Sequence, residues 1–322
     1  MSTVFEQYLD HSRRYPAEVL EEALDGMLAR AEWSDIGWDA GPEVARRIKE
    51  AIETRQPFSM IRVGDGTGNF LGYADAAYAG LRDFAREAIL EMTFGTSDFS
   101  VDEIGQIRDG LVAGIASADI LGVSDLFRLG RLRMIDRNLH ESPDVRGYSG
   151  SRESYVAVHD LLVSRAIRPA AIVTNHIHRF LAQHIDDILD GVKSVCVIGP
   201  YNLEDRLKTR HNFETVSSYL IPNQNSTSGE GRRWFPNLYQ SLSNQVDPAR
   251  DGQVYLLAAG LLAKPLAAQI KARGGIALDI GSLIDVWAGR AVRKYHDDEF
   301  VRAHSLQADC VQMAAASGAV FS

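Results

Sequence analysis

The sequence predicts an α/β protein: a Rossmann-like, mostly parallel sheet with flanking helices and a helical N-terminal extension. Three observations predict it. Short apolar runs recur from residue 58 onward. Amphipathic or alanine-rich stretches of helical length separate them, the alternation that builds parallel sheets. Several runs stop abruptly at Gly, Asp or Asn, where strands turn.

Residues 1–56 read as helical. Val19, Leu20, Leu24, Met27 and Leu28 recur at helical spacing, and Asp39-Ala-Gly-Pro divides them from an amphipathic stretch over 42–54. Phe58, Met60, Ile61 and Val63 suit a buried strand that ends at Gly64-Asp65-Gly66. A long alanine-rich helical region runs to about Met92. The helix expected over 101–116 has Asp102 and Glu103 near its positive end. ADILGVSD is a strand followed by an acid, Asp125, and 126–139 is helical. The polar, glycine-containing stretch 143–154 predicts a loop leading into a helix at 154–164.

PAAIVTNHIH gives a strand ending at Asn175-His176, followed by a helix over 178–190. VKSVCVIGPYN gives a strand ending at Gly199-Pro200, and 212–222 another strand. Residues 224–236 form the longest glycine- and serine-containing loop. QVYLLAAGLLAKPLAAQIKARGG reads as strand, glycine turn at Gly260, helix and glycine cap. IALDIGSLIDVWAG repeats the design with Asp279-Ile280-Gly281-Ser282, and 297–317 is one more helix. The expected division is an extension over 1–56 and a Rossmann-like domain over 57–322.

The chain has 322 residues, enough for one large α/β domain. Its net charge of −9 argues against a general nucleic-acid binder, which needs a basic surface for phosphates. Cys196 and Cys310 are too far apart for a metal-ligand spacing or a disulfide framework. No signal-peptide core opens the chain, and no apolar segment reaches the length of a membrane span. These features predict a cytoplasmic protein without a transmembrane segment.

The chemistry is expected at the strand ends. An acid between two glycines, just past a strand, stands where open α/β sheets bind ligands, so Asp65 is a candidate for a divalent cation or a sugar hydroxyl. Backbone N–H groups at the Gly260 turn suit a phosphate, and Lys264 lies one turn into the following helix. The spacing matches neither a Walker loop nor a dinucleotide fingerprint. Asp279 is a candidate base or hydroxyl ligand, or a helix cap, and Asp285 lies a turn beyond. Asp65, Asp125 and Asp279 are oxygen donors of the kind hard cations prefer. His176 suits a phosphate contact or acid–base work, whereas His176 and His178 make a poor zinc pair because residues two apart on a helix do not share a face. Lys208, Arg210, Arg232 and Arg233 are basic residues available to phosphates or simply solvated.

MIRVGDGTGNFLG and LLAAGLLAKPLAAQIKARGGIALDIGSLIDVWAG together resemble the GT-D fold glycosyltransferases. Arg62, Gly64, Asp65 and Gly66 match the R-x-G-D-G-E segment of that family. Gly260, Lys264, Gly274, Asp279 and Gly281 match its strand–glycine–helix segment with the D-I-G turn. The resemblance spans about 56 to 290 and implies metal-dependent glycosyl transfer from a nucleotide-sugar donor. It implies Asp65 and Asp279 as catalytic residues, with Asp65 on Mn²⁺ or Mg²⁺. Arg62, Gly64, Gly66, Thr67, Gly260, Lys264 and Gly281, at positions of the family segments, are then expected around the donor, and Asn69, His176, Gly199 and Ser282, read from their places beside the strand-end turns, are expected there too. The chain departs at Thr67, which stands where the family has glutamate and leaves one carboxylate missing. A non-catalytic nucleotide-sugar-binding subunit and another Rossmann-type nucleotide enzyme are the competing expectations. The acceptor is open, and the N-terminal extension suits a dimer contact or an acceptor-side lid.

Overall fold

The computed structural model describes residues 2–138, 144–223, 233–246, 251–292 and 296–306. The elements run α1 (Val4–Arg14), α2 (Ala17–Leu28), β1 (Trp33–Asp35), α3 (Gly41–Thr54), β2 (Phe58–Arg62), α4 (Asp65–Leu71), α5 (Ala79–Phe94) and α6 (Val101–Ser117). Then come β3 (Ile120–Val123), α7 (Leu126–Arg137), α8 (Val145–Ser164), β4 (Ala171–Thr174), α9 (His178–Ile188), β5 (Ser194–Gly199), α10 (Glu204–His211) and β6 (Thr215–Leu220). The chain continues through α11 (Asn237–Gln245), β7 (Val254–Leu257), α12 (Ala263–Ala272), β8 (Ile276–Asp279), α13 (Leu283–Trp287) and α14 (Asp298–His304).

The strands form one sheet in the order β1-β4-β3-β2-β8-β7-β5-β6, and every pair is parallel. A sheet covered on both faces needs apolar residues at successive positions, which is why the strands read as apolar runs. Side chains alternate between faces. Ile61, Val123, Ile172 and Leu257 enter one core with α2, α4 to α8, α11 and α12. Met60, Ile120, Val173 and Leu256 enter the other with α3, α9, α10, α13 and α14. The segregation follows chain direction. Connections β2–β3–β4 and β7–β8 step one way across the sheet, and β1–β2, β4–β5 and β5–β6 step the other. Crossovers of one hand put the two groups on opposite faces.

The structure departs from the sequence reading in several places. The first 56 residues are not wholly helical: β1 pairs with β4 at the sheet edge, in register Ser34 to Ile172. The alanine-rich region is broken after Leu71, and α10 and α11 are additional helices. Of the helix expected over 297–317, α14 covers Asp298–His304; residues 307–317 lie outside the described residues, as do 224–232 of the expected loop.

The largest difference is 143–154. From Val145 onward this stretch is the first half of α8, with Ser149, Gly150, Ser151, Arg152 and Glu153 buried. Glycine and serine are poor helix formers, but here their small size lets α4 and α8 approach backbone to backbone. A Cβ on Gly68 would sit 2.0 Å from the Gly150 carbonyl oxygen, and one on Gly150 2.5 Å from the Asp65 carbonyl oxygen. Packing overrides propensity. Side-chain contacts fix α8 from its other sides: Arg152 pairs with Asp136 of α7, and Glu153 Oε1 lies 2.7 Å from His11 Nε2 of α1.

Candidate functional site

A parallel sheet delivers every strand end to one edge. Taken across the sheet, the turns after β4, β3, β2, β8 and β7 carry His176, Asp125, Asp65, Gly281 and Gly260, and Gly199 ends β5. The segments singled out near the front and the back of the chain therefore stand side by side, because β2 pairs directly with β8.

Arg62 and Asp279 join them. The Arg62 backbone N–H donates to Asp279 Oδ2 at 3.3 Å and its Nη2 to Oδ1 at 3.3 Å. Its Nη1 reaches the Asn175 carbonyl oxygen beyond β4 at 3.4 Å. Lys264 Nζ donates to Asp279 Oδ2 at 3.1 Å and to the Gly260 carbonyl oxygen at 3.0 Å. Asp279 is 1% exposed. Burial alone would push its carboxyl up; Lys264 and Arg62 outweigh that and hold it below the usual carboxylate value. Burial, opposed by Asp279 and reinforced by Arg62, pushes the Lys264 ammonium down.

Asp279 is thus an anchored counter-ion with both oxygens engaged, and the Lys264 ammonium turns inward to it and to the Gly260 carbonyl oxygen. Gly281 is required here. It has φ +47°, and a Cβ would fall 1.5 Å from Arg62 Nη2.

Asp65 contrasts with Asp279. It opens α4, and its side chain is 38% exposed, with Arg146 Nη1 of α8 at 3.5 Å. The glycines beside it have no special backbone: Gly64 is extended at φ −160°, and a Cβ on Gly66 meets nothing closer than Ile89 at 3.8 Å. Thr67 is buried, and being two residues on in a helix it does not share the face of Asp65. Asn69 is also buried and bonded within the protein. Its Nδ2 donates to the Arg146 carbonyl oxygen at 3.3 Å, and its Oδ1 accepts from the Tyr73 hydroxyl at 2.7 Å.

On the other flank, Thr174 Oγ1 donates to Asp125 Oδ2 at 2.7 Å and accepts from the His176 backbone N–H at 3.1 Å. Asp125 Oδ1 caps α7 by accepting from the Arg128 backbone N–H at 3.1 Å. Burial lowers the His176 pKa; Asp125 opposes this, while Arg128, Arg62 and Arg179 reinforce it. These surroundings favour the neutral imidazole.

The sequence reading passed over a group at the far end of the row. β5 leads outward to β6 and β7 inward to β8, so the gap between β5 and β7 is a topological switch point, where open sheets place ligands. Tyr201, two residues past β5, stands beside it. Its hydroxyl donates to Asp285 Oδ1 at 2.9 Å and accepts from Asn223 Nδ2 at 3.2 Å, and the Arg290 guanidinium lies 5.1 Å from its ring centroid. Burial, then Asp285, pushes the phenol up to about 12. The signal in the sequence was an aromatic directly after Gly199-Pro200. Gly199 itself packs under α13, where a Cβ would meet Ile284 at 2.3 Å, and Ser282 faces His296 at 3.4 Å.

The basic residues noted in the sequence do not converge on this row. Arg210 of α10 pairs with Asp186, and Arg233 with Glu103. Lys208 is on α10, and Arg232 lies outside the described residues. The donor set does not make a protein-only cation site either. Asp125, Asp279 and Asp285 are occupied by the partners above, and among the described residues no three His, Cys, Asp or Glu side chains group as ligands. Asp65 alone offers an exposed carboxylate, which fits a cation only in company with ligand oxygens. Among the described residues no helix is long and apolar enough to cross a membrane. Comparison of the chain with protein-family models, curated proteins and solved structures gave no match in any of the three.

Proposed function

We propose that the carboxyl edge of the sheet binds a nucleotide-diphosphate sugar and that the protein transfers the sugar to an acceptor hydroxyl. One observation carries this reading. Arg62 and Lys264 share the single carboxylate of Asp279, so the guanidinium balances the carboxylate and the charge that Lys264 keeps against burial is a positive excess beneath the glycine turns. A fixed positive charge in a low-dielectric setting favours an anion above it, and favours it more as a leaving diphosphate gains charge.

The dimensions agree. Strands lie about 4.8 Å apart, so the β5–β7 gap and Asp65 are separated by roughly 12 Å, suited to a diphosphate spanning from base to sugar. In this reading the Tyr201 ring receives the base. The turns at Gly260 and Gly281 let the diphosphate approach the backbone, and Asp65 accepts from sugar hydroxyls. His176, kept neutral by burial, takes the proton of the acceptor hydroxyl. A divalent ion held by Asp65 and the diphosphate oxygens would neutralise further charge.

A second reading, binding of the same donor without turnover, is favoured by Thr67 and by the engagement of Asp279. Thermal-shift measurements with UDP- and GDP-sugars, with and without Mn²⁺, test both, because ligand binding to the native state raises the midpoint. A rise that Asp65→Asn removes supports a donor site. Donor hydrolysis or transfer then selects the enzyme, and binding without either selects the second reading. No response to any nucleoside diphosphate rejects both. Mn²⁺ alone is expected to give no shift.

A further inference from the structure

We propose that two copies of this chain associate through α2 and α7, each α7 lying on the partner's α2. The proposal does not depend on the sugar-transfer reading.

Helix α7 is apolar on both faces. Leu129 and Leu132 are buried against the body of the protein, while Leu126, Phe127 and Met134 are 56%, 64% and 68% exposed. Phe127 and Met134 are seven residues apart, two helical turns, so they stack at the outward pole. Arg131 and Arg137 flank that pole. An outward line of large apolar side chains on a surface helix marks a docking face rather than solvated surface.

The neighbouring α2 has the opposite charge. Its outward residues are Glu18, Val19, Glu22 and Asp25, with Val19 37% exposed. The seams within the molecule use Glu21 with Arg133 and Asp136 with Arg152. Among the described residues Glu18, Glu22, Asp25, Arg131 and Arg137 have no ion-pair partner. An acidic stripe and a basic, apolar stripe therefore lie side by side, both unused.

A two-fold axis between adjacent complementary stripes places each on the other, the self-complementarity an isologous dimer requires. This favours a second copy over an anionic lipid surface, because the acidic stripe would face the same lipid and the chain carries −9 overall. Each helix has 12 residues. Two helices about 18 Å long and 10 Å wide present roughly 360 Å² in projection. That is below the ~800 Å² per partner of a stable complex, so the dimer is expected to be weak, with Kd on the order of tens of micromolar.

Sedimentation equilibrium of the full chain from 1 to 200 μM tests this. The wild type is expected to be a monomer–dimer mixture, and the double variant Phe127→Ser, Met134→Ser to dimerise at least tenfold more weakly. Two charge-reversed chains decide the pairing: Arg131→Glu with Arg137→Glu, and Glu22→Lys with Asp25→Lys. Each alone is expected to be monomeric, and an equimolar mixture to recover the dimer, since both contacts then regain opposite charges. All these positions are exposed, and unchanged thermal midpoints confirm folding. A wild type monomeric to 200 μM overturns the proposal, as does failure of the mixture to recover. Binding to phosphatidylglycerol vesicles that Phe127→Ser, Met134→Ser abolishes, without dimerisation, gives the face to lipid and also overturns it.

Discussion

Asp65 follows β2 and Asp279 ends the neighbouring parallel strand β8, and each lies next to or near a glycine, yet their surroundings oppose one another. Asp279 is sealed between Arg62 and Lys264, whereas Asp65 is more than a third exposed beside a single arginine at 3.5 Å. Their glycines differ in the same way. Gly281 has a left-handed backbone and lies against Arg62, while Gly66 is an ordinary helical residue with room for a side chain. A turn motif fixes where a carboxylate emerges, and the elements packed on the turn decide whether it meets solvent or a buried cation. Asp279 therefore organises the edge, and Asp65 is the acid left open to solvent.

The largest expected effect comes from removing the anchored acid. Asp279→Ala leaves two cations without their shared anion and should cost about 3–5 kcal/mol in urea unfolding; a loss under about 1 kcal/mol would erase the contrast with Asp65. Next comes Gly281→Ala, which forces a left-handed alanine and displaces Arg62, for about 2–3 kcal/mol. Gly66→Ala should stay within about 0.5 kcal/mol of wild type or be slightly stabilising. Equal losses at the two glycines would mean that the turns are alike after all. Asp65→Asn should change stability by less than about 0.5 kcal/mol while weakening donor binding at least tenfold, read by calorimetry.

The smallest effects are in pH. Burial lowers the folded pKa of His176, so between that value and the unfolded value of about 6.5 the unfolded chain binds more protons. Stability should fall as pH drops below about 6.5, and His176→Gln should flatten that slope. The Asp279 carboxyl is held low, so its contribution persists above the unfolded value of about 4 and disappears as pH falls through the folded one. The two slopes should appear in separate windows of one unfolding series.

Much of the fold was legible because a sheet buried on both faces must be written as apolar runs ending in turn residues. Asp65, Asp279 and Gly281 were legible for the same reason, since strand ends punctuate the sequence. What escaped depends on partners distant in the chain. Residues 145–153 read as a loop because nothing local reveals that Gly68 and Gly150 touch. Lys264 read as a phosphate ligand because its position in a helix does not disclose that Asp279 lies within reach of its ammonium. Tyr201 was passed over because the switch point exists only once strand order is known.

At Gly68 and Gly150 the seam between α4 and α8 brings backbone against backbone. Two backbones in direct touch cannot slide without one lifting off, so Asp65 takes its position from α8. Since α8 is itself held by His11 of α1 and Asp136 of α7, those two helices act as the foundation on which that carboxylate is levelled.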